Sequence, residues 1–178
     1  MKKLLQILAL PLIILISLAC TKVVSKNNSV AANPPTEVQE GLSLSDTSLK
    51  KVEKTDAEWK KVLTADQYYI LREKGTEQPF NNAFNDNHEK GHFFCAGCKL
   101  PIFSSEAKFE SGTGWPSFYQ PIANTRVKEA VDNSFGMTRG EIVCARCGGH
   151  LGHVFDDGPK PTGLRYCMNS AAMLFKKS

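Results

Sequence analysis

Two short cysteine pairs constrain this chain more than any other feature. Cys95-Ala96-Gly97-Cys98 and Cys144-Ala145-Arg146-Cys147 share the C-x-x-C spacing, and 45 residues separate them. Each pair follows a short apolar run and carries small or flexible residues inside or just after it, as a tight knuckle requires. Four thiolates contributed by two knuckles close a tetrahedron around Zn²⁺ at about 2.3 Å per bond. The gap is longer than in a compact finger, so a whole sheet has to lie between the two knuckles. Two disulfides are a competing arrangement. A thioredoxin-like redox motif is another, but it needs one pair at a helix start within a βαβ unit, and neither pair has that setting. The pattern therefore predicts one structural Zn²⁺ per chain, held by Cys95, Cys98, Cys144 and Cys147. Such a site is closed: it holds the fold and performs no chemistry.

The chain has six cysteines, so Cys20 and Cys167 remain. Met1-Lys2-Lys3 is a basic start, and LLQILALPLIILISLA is an apolar run too short for a spanning helix. Ala19-Cys20-Thr21 then surrounds a cysteine with small residues. This start resembles a bacterial lipoprotein signal, which implies that residues 1–19 are removed and that Cys20 is acylated as the new N-terminus. Export and a lipid anchor on the periplasmic or another extracytoplasmic membrane face follow from that resemblance. Residues 20–50 are Ser, Asn, Thr, Pro and Val without a clear period, and they read as a flexible tether. The folded domain is expected over 51–178. A formal net charge of +4, with no block of like charge, excludes a nucleic-acid-binding arm.

Within that domain, Thr55-Asp56-Ala57-Glu58 fits a capping box, and Trp59, Val62 and Leu63 fall on one helical face. Thr64-Ala65-Asp66-Gln67 is a second box, with Tyr68, Leu71 and Arg72 following and Gly75 as C-cap. Two short helices are expected. After Pro79 the pattern changes to short β-branched and aromatic runs: 92–95, 101–103, 142–144, 153–155 and 164–168, punctuated by Gly, Pro, Asp and Asn. Residues 171–175 read as a core strand, with Met173 a packing residue. His88 and His92 read as loop or strand-edge residues. The fold class is mainly β and antiparallel, with short N-terminal helices.

A single cysteine is most often a small buried hydrophobe. Cys167 has unusual company. On a strand, Arg165 and Asn169 share its face, and the arginine lowers a nearby thiol pKa. His150 and His153 lie in the glycine-rich GGHLGHVFDDGP. Metal ligation is the simple use for them so soon after Cys147, but four sulfurs already fill that site. Trp115 lies in SGTGWPSF, and on such a loop its face suits a small apolar or thioether group.

Taken together, QYYILREKGTEQPFNNAF, FFCAGCKLPIF, FESGTGWPSF, CARCGGHLGHVFDDGP and GLRYCMNSAAM resemble the peptide methionine-R-sulfoxide reductases of the B type, from about Trp59 to Phe175. The resemblance implies two antiparallel sheets and a zinc site of four cysteines. It implies Cys167 as catalytic cysteine, Trp115 against the substrate methyl, and His150, His153, Arg165 and Asn169 around the sulfoxide oxygen, with Asp157 orienting from behind. Cys167 would attack the sulfoxide sulfur and end as a sulfenic acid. Many family members carry a second, resolving cysteine in the loop SGTGWPSF, where this chain has Thr113. An external reductant, a thioredoxin-like domain or a small thiol, is therefore expected, with oxidised proteins as substrate and a monomeric enzyme. Two other functions fit the residues: a zinc-stabilised binding module without catalysis, and a thiol peroxidase-like sensor.

Overall fold

A computed structural model describes residues 42–178 of the chain. The leader, Cys20 and most of the tether lie outside the described residues. Two helices come first, α1 (Asp56–Val62) and α2 (Ala65–Glu73). Thr55 and Thr64 each accept from the backbone three residues on, while Glu58 and Gln67 reach back, so both capping boxes form. Trp59 and Leu63 turn inward as expected, but Val62 is 57% exposed. It ends α1, and the chain leaves the helix at Leu63. The C-cap of α2 is Lys74 in the left-handed conformation, not Gly75. Gly75 instead packs so closely under the Tyr69 ring that no Cβ fits there. Among the described residues, no helix is long and apolar enough to cross a membrane.

The rest is two antiparallel sheets. The smaller joins β1 (Gly91–Cys95), β2 (Pro101–Ser104) and β9 (Met173–Lys177) in the order β2-β1-β9. The larger contains β3 (Lys108–Phe109), β4 (Ser117–Phe118), β5 (Val127–Asp132), β6 (Arg139–Cys144), β7 (His150–Phe155) and β8 (Arg165–Met168), in the order β3-β4-β8-β7-β6-β5. Every apolar run singled out in the sequence contributes to a strand, but Leu164 precedes β8, and Ala171 and Ala172 form a 3-10 turn before β9. The two-residue strands β3 and β4 and the edge strand β5 carried no such signal; β5 is mostly exposed and reads VKEAVD. The sheets are joined by aromatic rings. Phe118 of the large sheet stacks on Phe103 at 4.4 Å and meets Phe93 edge-on at 5.0 Å, both from the small sheet. Such pairs add about 0.5–1.5 kcal/mol each beyond their buried area.

The helices cover the two knuckles. Leu71 of α2 approaches both Gly97 and Gly149, and a Cβ on Gly149 would lie 2.9 Å from a Leu71 methyl. The glycine there is a packing requirement. The folded body also reaches further toward the N-terminus than the expected start at Lys51. Leu42 is buried, and Lys176 donates to its carbonyl at 2.8 Å. Arg146, inside the second C-x-x-C, donates to the Ser48 carbonyl at 2.8 Å, to the Asp46 carboxylate at 2.8 Å and to the Cys98 carbonyl at 3.1 Å. The last nine residues of the expected tether, 42–50, thus run along the domain, because a buried guanidinium in the knuckle takes its anionic and carbonyl partners from them.

Candidate active site and metal centre

The four knuckle cysteines meet as their spacing predicted. Their Sγ atoms all lie within 4.8 Å of one another. The shortest approaches are across the knuckles: Cys95 to Cys147 at 3.6 Å and Cys98 to Cys144 at 3.5 Å. A disulfide would need about 2.05 Å. A tetrahedron with bonds of about 2.3 Å has edges of about 3.8 Å, so the sulfurs already stand at metal-ligand spacing. No disulfide links any of the five cysteines in the described residues. Hydrogen bonding to Cys144 pushes the Cys95 thiol up, while hydrogen bonding from Cys147 pulls Cys144 down. Four sulfurs this close cannot all ionise without a cation between them.

Cys167 sits elsewhere, in the middle of the large sheet. On β8 it pairs with Ser117 of β4 on one side and His153 of β7 on the other. His153 in turn pairs with Glu141 of β6. Directly paired residues project to the same face of a sheet. One row across four strands therefore reads Glu141, His153, Cys167, Ser117. The Ser117 hydroxyl is 2.7 Å from that of Ser111, which is 2.8 Å from that of Thr113. Thr113 lies 3.9 Å from the Cys167 sulfur.

The two histidines are three residues apart, which on a regular strand would place them on opposite faces. The register of β6 and β7 slips between Ile142 and Val143, with one extra β7 residue at that point. This bulge turns both rings to one side, 5.3 Å apart. Each is held by a carboxylate the sequence did not single out. His150 Nδ1 bonds Glu141 at 2.8 Å, and Glu141 also accepts from Lys74 at 2.8 Å. His153 Nε2 bonds Asp132 at 2.8 Å, and Asp132 accepts from Arg139 at 2.8 Å. Burial lowers the His150 pKa more than Glu141 raises it, so its imidazole is neutral at neutral pH. Its Nε2 is buried with no protein partner.

Beside this row lies a cavity of about 110 Å³ lined by Thr76, Trp115, Arg139, Gly152, His153, Phe155, Cys167 and Asn169. Trp115 forms one wall, and its Nε1 donates to the Glu77 carbonyl at 3.0 Å. Glu77 ties the site together. Its carboxylate accepts from the backbone of Ser170 and of Ala171, and its own N–H donates to Asn169 Oδ1 at 3.2 Å. Asn169 gives one amide hydrogen to the Leu151 carbonyl at 3.2 Å, which leaves one donor for the cavity. A second cavity, about 160 Å³, lies between Lys51–Glu53 and the second knuckle, where the cysteines are committed to the tetrad.

Arg165 and Asp157 act together outside the cavity lining. The guanidinium binds Asp157 through two hydrogen bonds, at 2.8 and 2.9 Å, and covers the Phe155 ring at 4.3 Å. Asp157, read from the sequence as an orienting residue at the substrate site, holds the Arg165 guanidinium. Arg165 was expected to leave Cys167 acidic. The net effect is the reverse: burial raises the thiol pKa, Thr113 and Arg165 lower it less, and Asp157 raises it again. The resting sulfur is a thiol at neutral pH. Two substitutions should therefore move its titration in opposite directions. Arg165→Gln removes a cation and shifts the titration up; Asp157→Asn keeps an oxygen for Arg165, removes an anion and shifts it down. The pH dependence of Cys167 alkylation by iodoacetamide measures both, and a common direction for the two contradicts the charge pairing described.

Of the sequence-predicted residues, Cys167, His153, Asn169 and Trp115 line one cavity. His150 stands beside His153, and Arg165 and Asp157 stand behind the cysteine. Asp132, Arg139 and Glu141 carried no signal in the sequence, and Thr76 and Glu77 stood inside QYYILREKGTEQPFNNAF without a role of their own. They are isolated polar residues whose partners lie up to 94 positions away.

Residues 63–177 match the SelR domain. The chain is 58% identical over 127 residues to the peptide methionine sulfoxide reductase MsrB of Leptospira interrogans, an alignment covering 71% of this chain and 97% of that one. It is 59% identical over 127 residues to the enzyme of that name from Methanosarcina barkeri, covering 71% and 89%. With the Agrobacterium fabrum MsrB it shares 53% over 133 residues, covering 75% and 98%. With a SelR domain over most of its length, its cysteine tetrad on two knuckles and a separate cysteine facing a tryptophan and two histidines, the chain belongs to the MsrB family of peptide methionine sulfoxide reductases.

Proposed function

We propose that this protein reduces methionine-R-sulfoxide in polypeptides to methionine, with Cys167 as nucleophile. The observation that carries the reading is the cavity itself: a cysteine outside the tetrad, paired with His153 across two strands, shares with Trp115 the lining of a cavity of about 110 Å³. Trp115 takes the S-methyl group against its ring, and the sulfoxide oxygen points to the histidines and the free Asn169 hydrogen. The buried, unpartnered Nε2 of His150 supplies a polar atom on that side. Cys167 loses its proton as substrate enters, its thiolate attacks the electrophilic sulfur, and the oxygen passes to Cys167. One thiolate, one sulfoxide and one proton give one cysteine sulfenic acid and one thioether.

Thr113 stands 3.9 Å from the Cys167 sulfur and cannot form a disulfide with it. Two equivalents of an external thiol, a thioredoxin-like protein or a small thiol, return the sulfenic acid to thiol and release water. The cysteine tetrad holds Zn²⁺. Thiolate donors at tetrahedral spacing, two of them buried and two half-buried, with no carboxylate in the set, favour zinc over hard cations. The ion, when bound, pins the two knuckles; it takes no part in the redox steps. The lipoprotein-like leader and Cys20 support a location outside the cytoplasm on a lipid anchor, with the enzyme acting as a monomer on oxidised proteins. Racemic methionine sulfoxide with dithiothreitol tests the activity: consumption should stop when the R epimer is exhausted. Consumption of the S epimer, or of neither, overturns the reading.

A further inference from the structure

The cavity at Cys167 holds a side chain, so the rest of a polypeptide substrate has to lie on its rim. One residue of the segment that leads away from the cavity wall at Thr76 is unusual. Phe80 is 69% exposed, the highest value of any aromatic among the exposed large hydrophobics in the described residues. It also has a positive φ of 61°. Among the described residues, the other positive-φ residues that are not glycine, Lys74 and Lys99, end a helix and close the turn after the first knuckle. A left-handed backbone costs an ordinary L-residue roughly 1–2 kcal/mol, and a bulky ring there is a marked outlier. A large apolar side chain held in water on a strained backbone gains nothing from folding by itself. Strain of that kind clusters where a ligand is clamped.

The surroundings hold Phe80 where it is. Its N–H donates to the Gly114 carbonyl at 2.8 Å, and Asn82 Nδ2 donates to the same oxygen at 2.7 Å. The ring lies over Gly114, so that a Cβ there would stand 2.8 Å from a ring carbon. Gly114 directly precedes Trp115. Four residues before Phe80, Thr76 lines the cavity, and between them Glu77 anchors the Trp115 indole. The segment from Thr76 to Phe80 therefore runs from the cavity wall to an exposed ring packed over Gly114, the residue before Trp115. Neighbouring Cα atoms of a bound peptide are about 3.8 Å apart. A residue adjacent to the oxidised methionine thus falls within reach of the ring.

We propose that Phe80 is a docking platform for the residue flanking the sulfoxide in a polypeptide substrate, and that it gives the enzyme a preference for an apolar residue at that position. The proposal rests on the sulfoxide-reductase reading above. It assigns Phe80 to substrate selection, with no part in the chemistry at Cys167. The strained backbone fixes the ring in advance, so little freedom is lost when a substrate covers it.

The test compares three substrates: a pentapeptide with methionine-R-sulfoxide between leucines, the same peptide with glycines, and N-acetyl-methionine-R-sulfoxide amide. The wild-type kcat/KM should favour the leucine peptide over the glycine peptide by about fivefold to tenfold, the worth of covering part of an aromatic face. Phe80→Gly and Phe80→Asn both accept a left-handed backbone, so either keeps the turn. In both, the leucine preference should vanish through a rise in KM, while kcat stays. A leucine preference that survives both substitutions overturns the proposal. So does an equal loss on the capped amino acid, because Phe80 would then act by positioning Trp115. Failure of the wild-type enzyme on all three substrates overturns the reductase reading itself, and this proposal with it.

Discussion

Cys167→Ser is expected to abolish sulfoxide reduction, by about 10³-fold or more, while leaving the fold and metal content unchanged. Serine is close in size, and the hydroxyls of Thr113, Ser111 and Ser117 offer it a hydrogen-bonding neighbourhood. A serine hydroxyl is far less nucleophilic than a thiolate. Oxygen transfer to serine would also yield a peroxide, a product no thiol step of this cycle forms. The companion measurement uses the unreduced wild type. After one equivalent of R-sulfoxide without reductant, the intact mass should gain one oxygen on Cys167, trapped by dimedone, and no disulfide should form. Full-rate turnover by Cys167→Ser, or an oxidised wild type that lacks two hydrogens instead of gaining an oxygen, removes the basis of the mechanism.

The second large effect concerns the other four cysteines. Cys144→Ser should release the metal and lower the melting temperature by about 20 °C or more. A structural zinc contributes on the order of 10 kcal/mol or more, comparable with the whole stability of a domain this size. Much of the domain meets at the two knuckles. Leu71 packs on both, Trp59 approaches Gly97, and Arg146 ties the second knuckle to the first and to the 42–50 segment. In the variant Cys95 and Cys147 are left 3.6 Å apart with only three sulfurs to hold an ion. Elemental analysis and a thermal melt of wild type and variant measure the effect. A wild type purified without bound metal, or a variant that melts with it, contradicts the assignment of the tetrad.

These two sets of cysteines also mark how the sequence and the fold divide the work. The knuckles were legible because C-x-x-C is a local signal: with only two residues between them in a turn, two sulfurs already point to one spot, and two such turns outside a βαβ unit favour one shared metal over disulfides or a redox motif. The capping boxes at Thr55 and Thr64 were legible for the same reason, since each bond spans three residues. Val62, Gly75 and the edge strand β5 were misjudged or missed where a short-range pattern had to compete with packing.

The chemistry around Cys167 divides differently. That this cysteine stands apart from the tetrad follows from counting, and the residues near it follow from motifs. The state of its sulfur does not. Arg165 two residues upstream suggested an acidic thiol, but Asp157 holds that guanidinium and burial dominates, so the thiol pKa is raised. The histidines face one way only because β7 has an extra residue against β6, and their orientation depends on Glu141 and Asp132. A motif records which groups neighbouring positions supply. Electrostatics and orientation depend on distances of a few ångströms between strands far apart in the chain, and those distances exist only once the sheets have closed.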